Sequence, residues 1–217
     1  MNHELIDTLY RSRLTLLEHL EDSGYDTTPF RKFSPKEINE MIKASAGSTK
    51  GAPAFQMELK KKEVKEGEAQ NCLVVYTLTR IKQKIAHFTQ EIIDANPESF
   101  KTTELIIVTL EPIAPNFHTA AASFWMNQKI RVRYFQAASI INNPLKHVLV
   151  PKHEKVPKEE EQPLLTNLNA KKNQFPFIRF HEDPIARMIG LLPGDIVKIT
   201  RPSTTAGECV MYRVCVP

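Results

Sequence analysis

The first part of the chain carries apolar residues at the three- and four-residue spacing of amphipathic helices. Residues 4–21 place their apolar side chains mostly on one helical face, and Gly24 follows as a stop signal. Residues 34–37, with the sequence SPKE, combine a capping box with a proline in the first turn. The pattern therefore predicts two N-terminal helices.

After a break at residues 45–53, the pattern alternates between strands and helices. The predicted strands are residues 55–60, 72–78, 104–110 and 130–135, with a polar hairpin loop between the first two. The predicted helices are residues 80–93 and 116–128. This alternation favours a small α/β domain in which helices pack on a sheet.

The last part of the chain predicts a short helix with both ends marked. Asp183 can accept a backbone N–H as an N-cap, and Pro184 suits the first helical position. Gly190 can adopt the left-handed conformation that ends a helix. Nothing in this segment is typical of a catalytic site.

A β-hairpin is predicted to follow this helix. Residues 193–195 (PGD) indicate a turn, and the β-branched residues of 196–200 indicate a strand. A second strand at residues 209–216 follows a loop at 201–207 that contains Gly207. We therefore expect a compact unit of helix, turn, strand, loop and strand.

Composition is that of an ordinary globular protein. The 217 residues are 41% hydrophobic and 25% charged, which suits one or two domains, and two are favoured. No apolar run approaches a membrane span and no signal core is visible at the N-terminus, so we expect an intracellular protein. The three cysteines lack a CxxC pair, which argues against a disulfide framework and a zinc ribbon.

Charge excludes one class of function. Lysine and arginine number 29 against 25 aspartates and glutamates, a net charge of +4. This is too small for a stand-alone nucleic-acid-binding protein, although it leaves room for a mild contribution to binding a polyanion.

The C-terminal segment resembles the signature of the fifth subunit of eukaryotic RNA polymerases and of its archaeal counterpart. The residues that carry the resemblance, without a gap, are Asp183, Pro184, Ala186, Arg187, Gly190, Leu191, Gly194, Val197, Lys198, Ile199, Arg201, Pro202, Ser203, Thr205, Ala206, Gly207, Tyr212 and Arg213. The chain departs from the family pattern at residues 192–193, at Thr204 and at residues 208–209.

The resemblance implies an α+β protein of two domains. Residues 1–141 would form an N-terminal α/β jaw domain with a nuclease-like fold, and residues 142–217 a small α+β assembly domain. Archaeal members lack the jaw, so its presence implies a eukaryotic-type polymerase. The family also has a short helix within residues 151–176, which we expect to be broken or to start late because of Pro163. Residues 174–178 resemble a family strand.

The function implied by the resemblance is that of a non-catalytic subunit of a multisubunit DNA-dependent RNA polymerase. The assembly domain would dock on the largest subunit, next to other small subunits, and the jaw domain would lie near downstream duplex DNA and bind it weakly. One copy per complex is implied, with no cofactor and no metal. The location would be the nucleus in a cell, or a virion or cytoplasmic replication site for a large DNA virus.

Individual residues can be assigned from the same resemblance. The residues implied in docking on the largest subunit are Asp183, Pro184, Arg187, Gly190, Gly194, Arg201, Ser203, Thr205, Gly207, Tyr212 and Arg213. The family's turn near downstream DNA would fall at residues 113–116, where Pro115 and Asn116 are the candidate contacts.

Two alternatives come from other classes of protein. Glu58 and Lys60 stand two apart on a predicted strand and so share a face, as in metal-dependent nucleases of the E-x-K type; a further ligand would have to be Asp26 or Glu40. A nuclease-like domain fused to a small β module is therefore one alternative, and a stand-alone transcription-regulatory protein is the other. An exposed edge strand is the favoured interpretation of Glu58 and Lys60.

Two histidines could suggest a metal site. His147 and His153 flank a proline turn but have no cysteine or carboxylate at ligand spacing. They are interpreted as ordinary structural histidines.

Overall fold

The structure, a computed structural model, describes residues 3–45, 52–63, 69–95, 97 and 99–217. The chain divides into two compact units, Met1–Asn143 and Pro144–Pro217. Each contains a four-stranded sheet. The predicted α+β class is confirmed. In the described ranges, no helix has the length and apolarity needed to cross a membrane.

The N-terminal unit packs helices on a mostly parallel sheet. Its helices are α1 (His3–Asp22), α2 (Pro35–Ala44), α3 (Ile85–Ala95) and α4 (Pro115–Gln128). Its strands are β1 (Met57–Lys60), β2 (Asn71–Thr77), β3 (Thr103–Thr109) and β4 (Val132–Gln136). They lie in the order β1-β2-β3-β4, with β1 antiparallel to β2 and the other pairs parallel. The predicted alternation of strands and helices is confirmed.

The predicted capping box at the start of α2 is present. The Ser34 hydroxyl accepts a hydrogen bond from the Glu37 N–H, and the Glu37 carboxylate accepts one from the Ser34 N–H. The break predicted at residues 45–53 and the hairpin loop between β1 and β2 fall largely at residues 46–51 and 64–68, outside the described residues.

Helix α3 starts later than the predicted residue 80. Residues 82–84 form a turn before Ile85, and this turn is held by the Glu111 carboxylate, which accepts hydrogen bonds from the Ile81 and Lys82 N–H groups at 2.9 and 3.0 Å. Glu111, which follows β3, therefore satisfies backbone N–H groups of the kind that have no partner within a helix at its N-terminus. Sequence periodicity could not reveal this partner, since it lies far along the chain.

A buried ion pair joins β3 to β4 on the sheet face opposite α3. Arg133 lies 2.6 Å (Nε) and 2.7 Å (Nη2) from the two Glu104 carboxylate oxygens, and the side chains are 8% and 10% exposed. Burial opposes the charge of Arg133, but the charge and hydrogen bond of Glu104, together with the nearby Cys72 and Tyr25, outweigh it, so the pKa of Arg133 is raised. Burying either charged side chain here without the other would carry a large free-energy cost.

The C-terminal unit is a second sheet with two short helices. Its helices are α5 (Lys158–Asn167) and α6 (Pro184–Met188). Its strands are β5 (Lys152–Lys155), β6 (Phe177–Arg179), β7 (Ile196–Ser203) and β8 (Gly207–Val216). They lie in the order β5-β7-β8-β6, with β6 parallel to β8 and the other pairs antiparallel.

The expectation that Pro163 breaks or delays the helix is wrong. Helix α5 runs through Pro163 without interruption. Leu164 and Leu165, directly after the proline, pack against a buried cluster of Val156, Ile196 and Val214. Packing of these partly buried leucines stabilises the helical conformation against the loss of the hydrogen bond that proline removes.

Strand boundaries also differ from the prediction. Residues 201–203, predicted as loop, belong to β7, and residues 174–178 form strand only from Phe177 onwards. Strand β5 was not predicted at all, because its sequence KHEK has no alternation of apolar and polar residues. It is an edge strand whose side chains are exposed or half-buried, so no burial pattern marks it.

The turn between β7 and β8 depends on one glycine. Gly207 has φ +73°, as predicted for a position that needs the left-handed region. A Cβ at this position would have no atom within 4 Å. Any cost of substitution at Gly207 therefore comes from the backbone conformation and not from a clash.

Glu104→Ala is expected to destabilise the N-terminal unit by about 3–5 kcal/mol, because it leaves Arg133 buried without its carboxylate. Guanidinium chloride unfolding followed by Trp125 fluorescence measures the change. The control is Asp7→Ala, which breaks an exposed pair with Arg11 and should cost less than about 1 kcal/mol. Equal effects would contradict the assigned role of Glu104.

Gly207→Val is expected to cost about 1–3 kcal/mol, because a β-branched residue is strained at positive φ. Gly207→Asn should cost less, since asparagine tolerates this region. Thr204→Glu, in the exposed tip of the same hairpin, should be neutral. Thermal unfolding of the three variants is the measurement. If the Gly207→Val protein unfolds at the same temperature as wild type, the turn is not constrained.

Candidate partner-docking site

The candidate docking segment begins with helix α6, which is capped at both ends. The Asp183 carboxylate accepts hydrogen bonds from the Ile185 and Ala186 N–H groups at 2.8 and 3.0 Å. After the helix, Gly190 has φ +66° and the Leu191 N–H donates to the Ala186 carbonyl at 3.0 Å. This is a Schellman ending. The predicted roles of Asp183, Pro184 and Gly190 in the helix are confirmed.

A tight turn connects α6 to β7, and a buried aspartate fixes it. Gly194 has φ +94°, and its N–H donates to the Cys215 carbonyl at 2.8 Å. Asp195 is 4% exposed; its carboxylate accepts from the Leu192 N–H and lies 2.7 Å from Lys155 Nζ on β5. Asp195 was predicted only as a turn residue. Its buried carboxylate had no sequence signal, because Lys155 is distant in the chain.

Three of the predicted docking residues are engaged inside their own unit. The Tyr212 ring lies 6.3 Å from that of Phe175 and packs against the buried cluster beneath α5. Arg213 donates through Nη1 to the Phe177 carbonyl at 3.2 Å. Arg187 is half-buried; burial lowers its pKa, and the nearby Asp183 opposes that shift. These residues maintain the shape of the segment.

Other predicted docking residues face solvent. Pro184, Arg201, Thr205 and Gly207 are exposed, and the last three belong to the β7–β8 hairpin near its tip. Ser203 is half-buried and its hydroxyl accepts from the Ala206 N–H at 3.3 Å. The structure therefore brings three of the exposed residues together on one hairpin and leaves Pro184 on α6.

An exposed apolar pair precedes β5. Val148 is 97% exposed and Leu149 is 84% exposed. The turn that carries them is ordered by hydrogen bonds, since the Leu149 N–H donates to His147 Nδ1 at 3.2 Å and the Val150 N–H to the His147 carbonyl at 2.9 Å. Adjacent exposed apolar side chains often mark an interaction site. The sequence signal was present in the run VLV, but only exposure distinguishes it from core.

The rings of His147 and His153 both contact nearby backbone groups. His147 accepts the hydrogen bond described above, and His153 Nδ1 lies 2.6 Å from the Pro151 carbonyl. The cysteines lie in strands, Cys72 in β2 and Cys215 in β8, and burial raises the pKa of Cys215 to about 12. A thiol with so high a pKa is a poor nucleophile.

In the N-terminal unit, Pro115 and Asn116 are the first residues of α4, and both are exposed. The Glu111 contacts to Ile81 and Lys82 hold the turn after β2 beside the segment that leads into α4. That turn carries three exposed cations, Arg80, Lys82 and Lys84. They were not predicted as part of the site, although parallel strands end at one edge of a sheet and their following turns meet there.

Glu58 and Lys60 lie where the nuclease alternative placed them, on the exposed face of β1. They line a cleft of about 440 Å³ together with Glu91 of α3. Among the described residues, no group of three or more histidines, cysteines, aspartates or glutamates is arranged to hold a metal ion. Asp26 and Glu40, the suggested further ligands, are not among the residues that line this cleft.

Comparison with known proteins gives a match over nearly the whole chain. Over 213 residues it is 32% identical to "DNA-directed RNA polymerases I, II, and III subunit rpabc1" of Dictyostelium discoideum, covering 98% of this chain and 100% of that protein. It is 41% identical over 91 residues to subunit RPABC1 of Caenorhabditis elegans, covering 42% of this chain and 43% of that protein.

The C-terminal unit has further matches. The family described as "RNA polymerase Rpb5, C-terminal domain" matches residues 142–215. The "DNA-directed RNA polymerase subunit Rpo5" of Archaeoglobus fulgidus is 59% identical over 70 residues, covering 32% of this chain and 91% of that protein. Since the Dictyostelium match extends over nearly the whole length, this chain belongs to the RNA polymerase Rpb5 family of non-catalytic common subunits of multisubunit DNA-directed RNA polymerases.

Proposed function

We propose that the C-terminal unit docks on the largest subunit of the polymerase, next to other small subunits, and that the N-terminal unit forms part of the lower jaw near downstream duplex DNA. The observation that carries the docking proposal is the match to the archaeal subunit. It covers 91% of that protein but only 32% of this chain. A protein with little beyond the C-terminal unit is thus itself a polymerase subunit.

The docking surface is proposed to include the exposed residues of the signature and the apolar pair. Val148 and Leu149 would lose water on binding, at about 25 cal/mol for each Å² of apolar surface buried. Arg201 and Thr205 at the hairpin would supply polar contacts around them. The other signature residues, including Asp183 and Tyr212, act by holding this surface in shape.

The jaw contact with DNA is proposed to be electrostatic. Arg80, Lys82 and Lys84 form no ion pair among the described residues, and the Glu111 hydrogen bonds hold their turn beside the approach to Pro115 and Asn116. Exposed cations and the N–H groups at a helix N-terminus are the groups that contact phosphates. Phosphate contacts position a protein on DNA without reading its sequence.

Stoichiometry and location follow from assembly. We propose one copy per polymerase. We also propose that the protein is found where the enzyme is: in the nucleus of a cell, or in a virion or cytoplasmic replication site for a large DNA virus. Neither alternative function has a supporting observation of comparable weight. For the nuclease alternative, the described residues offer Glu58 no pair of additional metal ligands. For the stand-alone regulatory protein, the relatives are instead named as polymerase subunits.

Residues 142–217 alone are expected to co-purify with the largest subunit. In the full chain, Val148→Asp combined with Leu149→Asp should lower affinity for that subunit at least about tenfold, or 1.4 kcal/mol, because two charges enter an apolar contact. Met126→Asp, at an exposed apolar position on α4, is the matched control. A folded fragment that does not bind, or a double variant that binds like wild type, would contradict the docking surface.

The free chain is expected to bind duplex DNA without sequence preference, with Kd no tighter than about 10⁻⁶–10⁻⁴ M at physiological salt. Changing Arg80, Lys82 and Lys84 to Glu should weaken binding and lower the slope of log K against log salt, because fewer phosphates are neutralised. Lys32, Lys36 and Lys43, changed in the same way, form the control. Fluorescence anisotropy over a salt series is the measurement; equal slopes for both triple variants would place the contact elsewhere.

A further inference from the structure

The N-terminal sheet is covered unevenly on the face that carries α3 and α4. Tyr134 of β4 contacts both helices there, through a 2.9 Å hydrogen bond with Thr89 and a ring contact with Phe117. Every residue of β3 is buried, whereas Glu58 and Lys60 of β1 are exposed. The helical layer therefore ends before it reaches β1.

The cleft described above occupies this uncovered position. Its floor is β2, where Leu73 lies directly opposite Glu58 of β1 and so points to the same face, and Val75 lies two residues further along. Its wall is α3, which contributes Phe88 and Ile92, four residues apart on one side of the helix. Leu73 and Ile92 are only half-buried. The floor and wall are thus apolar and partly open to solvent.

The cleft is large enough to hold several docked side chains, whereas a packing defect would be much smaller. Its volume of about 440 Å³ lies within the range of about 300–1,000 Å³ typical of ligand-binding clefts. In an α/β unit, an apolar strip of sheet beside a helix is normally covered by another helix. A helix laid along β1 would place residues at i, i+3 and i+4 into this cleft.

The charged residues around the cleft indicate which sign of charge a bound molecule would carry. Glu58 stands on the strand side and Glu91 on the helix side, and among the described residues that line the cleft Lys60 is the one that is basic. Glu91 also lies 3.4 Å from His87. Two carboxylates on opposite walls attract a cation between them and repel phosphates, which excludes nucleic acid. Two copies of a chain with net charge +4 repel each other, which disfavours a second copy.

We propose that this cleft binds an amphipathic helix of another protein, whose apolar side chains contact Leu73, Val75 and Ile92 and whose lysine or arginine lies between Glu58 and Glu91. This site shares no residue with the proposed docking surface of the C-terminal unit or with the basic turn at residues 80–84.

The test uses the full chain and a display library of random 16-residue peptides as the probe. Enriched peptides are expected to have apolar residues at helical spacing and at least one lysine or arginine. Glu58→Lys combined with Glu91→Lys should weaken binding of these peptides at least about tenfold, because both changes are on exposed rim positions that reverse the charge without touching the core. Glu159→Lys with Glu160→Lys, the same charge change on exposed positions of α5, should leave binding within about twofold of wild type.

Ile92→Ser provides a second, uncharged variant that should also weaken binding, with its fold checked by circular dichroism. Co-purification with the largest subunit should be unchanged in every cleft variant. No enriched peptide, peptides that bind the Glu58→Lys, Glu91→Lys protein as tightly as wild type, or enrichment of purely acidic peptides would each overturn the proposal. So would light scattering that shows a wild-type dimer dissociated by the same substitutions, since a second copy would then occupy the cleft.

Discussion

The C-terminal unit depends on the burial of one carboxylate, that of Asp195. It accepts a hydrogen bond from the Leu192 N–H across the turn and pairs with Lys155 of β5, while the Asp195 carbonyl accepts from the Cys215 N–H of β8. One residue thereby joins the turn after α6 to two strands. A charge removed from water is stable only with such partners, so the positions of β5, the turn and β8 are coupled.

Much of the fold could be predicted from local pattern, and the failures share a physical cause. The caps of α2 and α6 and the left-handed glycines at 190 and 207 were predicted correctly, because the groups that interact lie within a few residues of each other. The continuous helix through Pro163 and the late start of α3 were not, because Leu164 and Glu111 act through partners far along the chain. Local propensity yields to tertiary contact in both cases.

The candidate site divides in the same way. The signature residues were recognised as a set, yet the structure separates those that build the unit, such as Tyr212, from those that reach solvent, such as Arg201. The basic turn at 80–84 and the cleft beside β1 had no local signal. To predict either one, it is necessary to know which turns and faces the sheet brings together. This depends on the strand order, which no single segment of the sequence reveals.

The exposed pair at Val148 and Leu149 has a consequence for the life of the protein before assembly. A newly made copy presents these side chains to every molecule it meets, and exposed apolar surface is what chaperones and proteases act on in cells. Burial against a partner would remove that signal. The amount of this protein that survives would then be set by the supply of its partner and not by its own rate of synthesis, so that unassembled copies do not accumulate.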